Sequence, residues 1–371
     1  MPSLADLSNS IFASLGMNSS NSLRLNSKGY ECLVLIDGLG AEGLELAAAK
    51  FPIFGKYTSK YELQSIFPST TVVNLTSLAT GLLPNEHGMF GYTVRVPNSG
   101  NPERLLNGLK WDEKVDPEIW QDQETLFEKA KKLDIKVLHI AAKRYQETGF
   151  TRAALRGGNY FGSNRPEQMV EIAESEFNKS LNYSQKTFAY IYLNQVDAAG
   201  HEFGVESEQW WQAVQIIAEF LEQLRGKLPS KVRIWLTSDH GMINSKNHLI
   251  LGENNSLLEN IALIGGEPRA RHLYFSPDAN SDYENILAKT LSNYQNYLVG
   301  KAQIFTREQA TLKLFGGIIS ESKKLRVGDL VVVPESDLLL LDPNRAHLEG
   351  KMVGHHGGFS ETEVNISALA Y

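Results

Sequence analysis

At 371 residues, with 42% hydrophobic and 21% charged side chains, the chain has the make-up of a folded globular protein and not of a disordered or fibrous one. The 43 acidic residues outnumber the 36 basic ones for a formal charge of −7, and no Lys/Arg run offsets them, so a nucleic-acid duplex is excluded as the main partner. A single cysteine, Cys32, inside an apolar run leaves neither a disulfide framework nor a thiolate zinc site.

Leu4, Leu7, Ile11, Phe12 and Leu15 recur at helical spacing and predict an amphipathic helix lying on the main body. The segment lacks the positive and unbroken apolar regions of a secretory signal. No apolar run long enough to cross a bilayer follows, so the expectation is a cytoplasmic chain with no membrane partner. Cys32–Ile36 is a short continuous apolar run, the pattern of a strand buried on both faces of a parallel sheet, and Asp37 falls at its carboxyl end. Ala41–Lys50 reads as a helix and Tyr61–Phe67 as a strand. Ser69, Thr70 and Thr71 then precede a helical run, Val72–Thr80, that Gly81 can close. A hydroxyl there either caps the helix or, favoured by unpaired N–H groups and the dipole, acts as a nucleophile.

From Tyr92 to Gln121, Pro97, Asn98, Gly100, Pro102 and Pro117 break any periodicity, and the reading is one long loop over the sheet. Glu124–Leu133 (helix), Ile135–Ala141 (strand), a loop over 143–159, a helix from Pro166, Thr187–Leu193 (strand), Glu206–Leu224 (helix) and Val232–Thr237 (strand) continue a βα alternation. After Gly265 come a strand at His272–Phe275, a helix at Tyr283–Tyr297, a strand at Ala302–Phe305, a short helix at Arg307–Leu314 and a strand at Asp329–Pro334. This predicts a catalytic α/β core over 1–264, an inserted β-α-β-α-β cap over 265–345, and a return to the core over 346–371.

The chemistry gathers at the strand ends, the edge where open α/β sheets bind ligands. Asp37 stands at one such end; Asp197 and His201, four apart, fall on one side of a helical turn; Asp239-His240 precedes Gly241; and His356 is flanked by glycines. Three aspartates and three histidines without cysteine suit two divalent cations, Zn²⁺ first, with Mn²⁺ or iron compatible. Two such ions against three carboxylates and an ionised hydroxyl leave a neutral inner set, which suits a monoanionic phosphodiester. A monoester would want a further cation, and Arg95, Lys143, Arg144 and Arg152 lie in loops able to supply one. Gly38-Leu39-Gly40-Ala41-Glu42-Gly43 matches the dinucleotide fingerprint with Glu62 downstream, but Asp37 would face the pyrophosphate and the Asp/His set would be left without a role.

The pieces LVLIDGLG, FPSTTVVNLTSLATGLLPNEHG, NQVDAAGHEFG, TSDHGM and GHHGG, in this order from residue 33 to residue 358, resemble the type I phosphodiesterase/nucleotide pyrophosphatase family of the alkaline phosphatase superfamily. The resemblance implies an alkaline-phosphatase-like α/β sandwich whose largely parallel central sheet is flanked by helices. It implies Thr71 as the nucleophile, since Asn74 follows three residues later, and it assigns Asp37, Asp239 and His240 to one ion and Asp197, His201 and His356 to the other. Asn74 and Tyr92 are the expected substrate-binding residues; Tyr92 stands where the family carries an asparagine that binds a phosphoryl oxygen. The implied activity is metal-dependent hydrolysis of phosphodiester or pyrophosphate bonds in a nucleotide-like small molecule through a covalent threonine intermediate. The alternatives are a phosphomonoesterase or phosphonate hydrolase on the same site, and a phosphate-ligand sensor without turnover. Trp111, Trp120, Tyr145 and Phe150, in the long loops, either stack a base or pack the surface.

Overall fold

The computed structural model describes residues 1–100, 103–276 and 282–371. Pro102 and residues 277–281 of the expected cap therefore lie outside the described residues. The first eight strands are β1 (Tyr30–Ile36), β2 (Ser59–Gln64), β3 (Thr93–Val96), β4 (Arg104–Asn107), β5 (Lys136–Ala141), β6 (Asn159–Gly162), β7 (Thr187–Leu193) and β8 (Arg233–Thr237). A seven-stranded sheet runs β2, the C-terminal strand Asn365–Ala370, β8, β1, β7, β5, β6. The pairings among β8, β1, β7, β5 and β6 are all parallel, and the C-terminal strand runs antiparallel to both its neighbours.

Alternation along β1 divides the core. Leu33 and Leu35 face the N-terminal helix Leu4–Ser14 and the helix Thr71–Thr80, while Cys32, Val34 and Ile36 face the helices Pro166–Asn182 and Glu208–Lys227. Both faces are covered, which is why β1 and β7 read as continuous apolar runs. Among the described residues no helix is long and apolar enough to cross a membrane.

A second, antiparallel sheet is ordered Ile261–Glu267, Ala270–Phe275, Leu330–Pro334, Ala302–Thr306. One of its faces, with Leu273, Leu330 and Val332, packs on the helix Tyr283–Tyr297. The other, with Val331 and Val333, joins the main core.

The structure corrects the sequence reading in three places. The stretch 92–121 is not one loop: β3 and β4 pair as a hairpin whose Val94, Val96 and Leu106 enter the core, and Pro117–Trp120 is a helical turn. Each strand is four residues long, too short to leave a periodic signal between the prolines. The 143–159 loop carries a helix, Gly149–Ala154, capped by Thr148, whose Oγ1 accepts from the Thr151 N–H. The strand Ile261–Glu267 was not read because Gly265 and Gly266 dilute its β pattern; Gly266, at φ 77°, makes the tight return to Ala270, whose carbonyl oxygen would lie 1.9 Å from any added Cβ.

Candidate active site

Parallel register sets the site. Ile36 pairs with Leu193 and Leu35 with Thr237, so Asp37, Asn194 and Ser238-Asp239-His240 leave the sheet together at its carboxyl edge. The glycines of the apparent dinucleotide fingerprint serve this crowding. Gly38, at φ 73°, lies so close to Asp197 that an added Cβ would stand 2.9 Å from its Cβ, and Gly40 donates its N–H to the His240 carbonyl at 3.0 Å.

The helix Gln195–Phe203 then presents Asp197 and His201 on one side, with His201 Nε2 3.4 Å from Asp197 Oδ1. His356 arrives from the far end of the chain. Ser69 accepts the Gly357 N–H at 3.1 Å and donates to the Gly358 carbonyl at 3.0 Å, which ties the GHHGG turn to the segment before Thr71. The buried Arg269–Glu363 pair closes that turn from behind, Glu363 Oε1 accepting from the Gly358 N–H at 2.8 Å.

Each of the three histidines directs Nδ1 at a backbone carbonyl: His201 at Gly354 (2.8 Å), His356 at Ser69 (2.8 Å) and His240 at Gly241 (3.2 Å). A carbonyl only accepts, so Nδ1 carries the proton and the Nε2 lone pair is free. The Nε2 atoms converge: those of His356 and His201 are 3.2 Å apart, and His240 Nε2 lies 3.4 Å from Asp37 Oδ1 and 3.5 Å from Asp239 Oδ2. His355 instead turns its Nε2 to the Met352 carbonyl.

Asp37 and Asp239 are buried and Asp197 is half-buried, and two of the three have an oxygen with too few partners. Asp197 Oδ1 and Asp239 Oδ2 have no hydrogen bond among the described residues. Burial and the neighbouring Asp239 and Asp197 push Asp37 well above the usual carboxylate range, and burial raises Asp197 and Asp239. Burial likewise holds His240 and His356 below the usual imidazole range. Clustered carboxylates that resist ionising and imidazoles that resist protonation form a donor set suited to cations. Two groups are close enough to hold one each: Asp197, His201 and His356, and Asp37, Asp197 and His240. Asp197 belongs to both, so geometry places it between the centres, whereas the resemblance gave it to one.

The three hydroxyls separate cleanly. Ser69 ties the turn, Thr70 is the N-cap residue but makes no side-chain cap, and Thr71 opens the helix with Oγ1 3.4 Å from His240 Nε2 and 3.5 Å from Asp37 Oδ1. Asn74 does not reach the cleft. It is fully buried, its Oδ1 accepting from the Ile66 N–H at 2.8 Å and its Nδ2 lying 3.0, 3.4 and 3.2 Å from the carbonyls of Ile66, Pro68 and Thr70. It braces the segment that carries Thr71, and its expected place as a substrate ligand is corrected to that of a support.

A cleft of about 310 Å³ opens over Asp37, Thr71, Asp197, His201 and His356, and Tyr92 lines it as expected. Tyr192, Glu267, Arg345 and Asn194 are polar residues of the cleft to which the sequence reading gives no role. Tyr192 donates its hydroxyl to Asp37 Oδ2; its polar tip near the end of an apolar strand was the available signal. Glu267, pushed up to about 8 chiefly by burial, lies 3.7 Å from His356 Nδ1. Arg345 and Asn194 also line the cleft; Arg345 lies outside every motif, while Asn194 opens the piece NQVDAAGHEFG. Of the loop residues considered for a base or a cation, Tyr145 lines the cleft and Arg144 reaches Asn194 Oδ1 at 3.1 Å. Trp111 bonds the Val115 carbonyl, Trp120 packs under Arg326, and Arg95 lies over Tyr274.

Comparison with known proteins follows the same lines. The family model described as type I phosphodiesterase/nucleotide pyrophosphatase matches residues 32–359. The chain is 28% identical over 203 residues to an uncharacterised pyrophosphatase/phosphodiesterase of Schizosaccharomyces pombe, covering 53% of this chain and 41% of that one. It is 25% identical over 272 residues to the human ectonucleotide pyrophosphatase/phosphodiesterase family member 1, covering 64% and 26%. The matches thus span well under half the length of these relatives. Murine ectonucleotide pyrophosphatase/phosphodiesterase 5 superposes with a TM-score of 0.67 at 16% identity, covering 92% of this chain and 88% of that chain. Its inactive threonine-to-alanine variant, in complex with AMP, superposes at 0.67 with 14% identity, covering 93% and 88%.

Proposed function

This chain belongs to the type I phosphodiesterase/nucleotide pyrophosphatase family, and from that premise we propose that it hydrolyses a phosphodiester or pyrophosphate bond of a nucleotide-like small molecule by way of Thr71. The observation that carries the reading is the position of Thr71 Oγ1, at a helix N-terminus and within 3.5 Å of both Asp37 and His240. Two divalent cations, zinc by donor type with manganese or iron as alternatives, would be held by Asp37 and His240 and by His201 and His356, with Asp197 within reach of both sets; Asp239, 3.5 Å from His240 Nε2, joins the first set on the resemblance. When bound, they supply the positive charge that offsets the three clustered carboxylates and favours the ionised threonine.

Thr71 forms the bond to phosphorus while the bond to the leaving oxygen breaks on the opposite side, and the departing group takes up a proton. The N–H groups of the helix's first turn face the phosphoryl oxygens. A water molecule then displaces Thr71 and releases the product. Tyr92, from its place in the cleft, is our candidate donor to a phosphoryl oxygen. The inactive threonine-to-alanine variant of murine ectonucleotide pyrophosphatase/phosphodiesterase 5, in complex with AMP, supports both the nucleophile class and the ligand class. The separate antiparallel sheet supports treating 265–345 as a cap inserted in the core.

One observation favours a second reading. Arg345 lines the cleft beside Glu349, with its Nε 3.7 Å from Glu349 Oε1; turned from that carboxylate to the substrate, its guanidinium would suit a dianionic monoester. The test is the ratio of initial rates on bis(4-nitrophenyl) phosphate and 4-nitrophenyl phosphate with zinc-loaded protein, Thr71→Ala serving as background. A ratio well above one supports the diesterase; a ratio well below one replaces it with the monoesterase.

A further inference from the structure

Beside the cleft lies a smaller slot of about 70 Å³ that shares Thr71, Leu109, Tyr145 and Tyr192 with it. Its remaining wall is largely apolar, with Leu75, Phe150 and Leu155, and no charged residue lines it. The hydroxyls of Thr148 and Thr151, also in the wall, are engaged by the Tyr145 carbonyl.

His139 of β5 lines the same slot and is different. It is 2% exposed, and burial alone, with neither hydrogen bond nor charge contributing, lowers its pKa to about 3. It is therefore a neutral imidazole with one donor and one acceptor available. Its register partner on β7 is Tyr190, with ring centroids 5.2 Å apart, and the Tyr190 hydroxyl is buried without a hydrogen-bond partner among the described residues. The unpaired Tyr190 hydroxyl is costly in a native interior, and it stands next to His139, whose ring lines a space that adjoins Thr71.

Resting on the phosphoester reading above, we propose that the slot is a specificity subsite that receives the end of one organic substituent on phosphorus, and that His139 reads that end by a hydrogen bond. The wall dictates the chemistry. A carboxylate or ammonium would enter without a counter-charge. A full aromatic ring is too large, since a cavity of about 150 Å³ is what takes up benzene. The fitting group is short, uncharged and aliphatic, ending in one hydroxyl.

The experiment measures the inhibition constants of methyl ω-hydroxyalkyl phosphate diesters of two to four carbons, as competitors of a chromogenic diester on the zinc-loaded full chain, each paired with the methyl n-alkyl diester that has a methyl in place of the hydroxyl. An n-alkyl end would strip water from His139 and replace none of its hydrogen bonds. The hydroxyl member of at least one pair is expected to bind about tenfold more tightly, and the difference to fall below about twofold in His139→Leu. Tyr190→Phe, which keeps the ring and so the packing, is expected to narrow the difference. Equal affinities within every wild-type pair would mean that the slot holds only water and would overturn the subsite alone. Discrimination that survives intact in His139→Leu would overturn the role of His139. Failure of all the phosphates to bind would overturn the phosphoester reading and the subsite with it.

Discussion

Asn74→Ala separates a residue that touches substrate from one that holds the nucleophile in place. In the structure its amide joins one backbone N–H and three carbonyls of the segment Ile66–Thr70, the nearest at 2.8 and 3.0 Å. Truncation leaves the Ile66 N–H and the Ile66 carbonyl without these partners in a buried setting, and a stranded buried group costs about 1–3 kcal/mol. With partial relaxation the total is about 3 kcal/mol. An unfolding entropy of about 2.1 cal/mol/K per residue gives roughly 0.8 kcal/mol/K for this chain, so Tm is expected to fall by about 4 °C. Activity should fall through kcat, at least tenfold, with KM changed little, because Thr71 is displaced while the cleft wall stays intact. Scanning calorimetry and steady-state kinetics on a chromogenic diester read both quantities. An unchanged Tm with a raised KM would refute the reasoning and return Asn74 to the substrate.

The metal assignment is tested by elemental analysis after purification with zinc. His201→Ala is expected to hold about one ion where the wild type holds two, and Asp197→Asn to lose both, since Asp197 stands in both triads; two ions retained in either variant would contradict the geometry. Acid stability follows from His139. Its folded pKa, about 3, lies below the unfolded value near 6.5, so between these values the unfolded chain binds the extra proton and stability falls as pH falls. Urea unfolding at pH 6.5 and pH 5 should show the wild type losing about 1.6 kcal/mol more over the whole interval than His139→Leu, and equal losses would show that His139 protonates in the folded state.

What was legible in the sequence depended on how locally it was encoded. The apolar run 32–36 fixes where β1 ends, so Asp37 could be placed at the carboxyl edge, and the Asp197/His201 and Asp239/His240 pairs followed from the same logic at β7 and β8. The helix after Thr71 was read to within one residue because Gly81, at φ 71°, closes it. Whether His356 meets His201 is a long-range matter. It rests on Ser69 and on the Arg269–Glu363 pair, whose partners are 94 residues apart. The direction of the Asn74 amide was illegible because its partners are backbone groups of Ile66, Pro68 and Thr70, and a motif names side chains but not which backbone groups an amide will meet. Arg345 lies in a segment without a motif, and nothing short of the fold brings it to the cleft.

The central claim is that Thr71 becomes covalently bound to phosphorus during turnover. Zinc-loaded protein mixed with bis(4-nitrophenyl) phosphate and acid-quenched within milliseconds, then digested and analysed by mass spectrometry, tests it directly. The account expects a 4-nitrophenyl-phosphoryl group on Thr71, formed together with a burst of one equivalent of nitrophenol and absent in Thr71→Ala. Turnover with no adduct on Thr71, or the adduct on another residue, would contradict it.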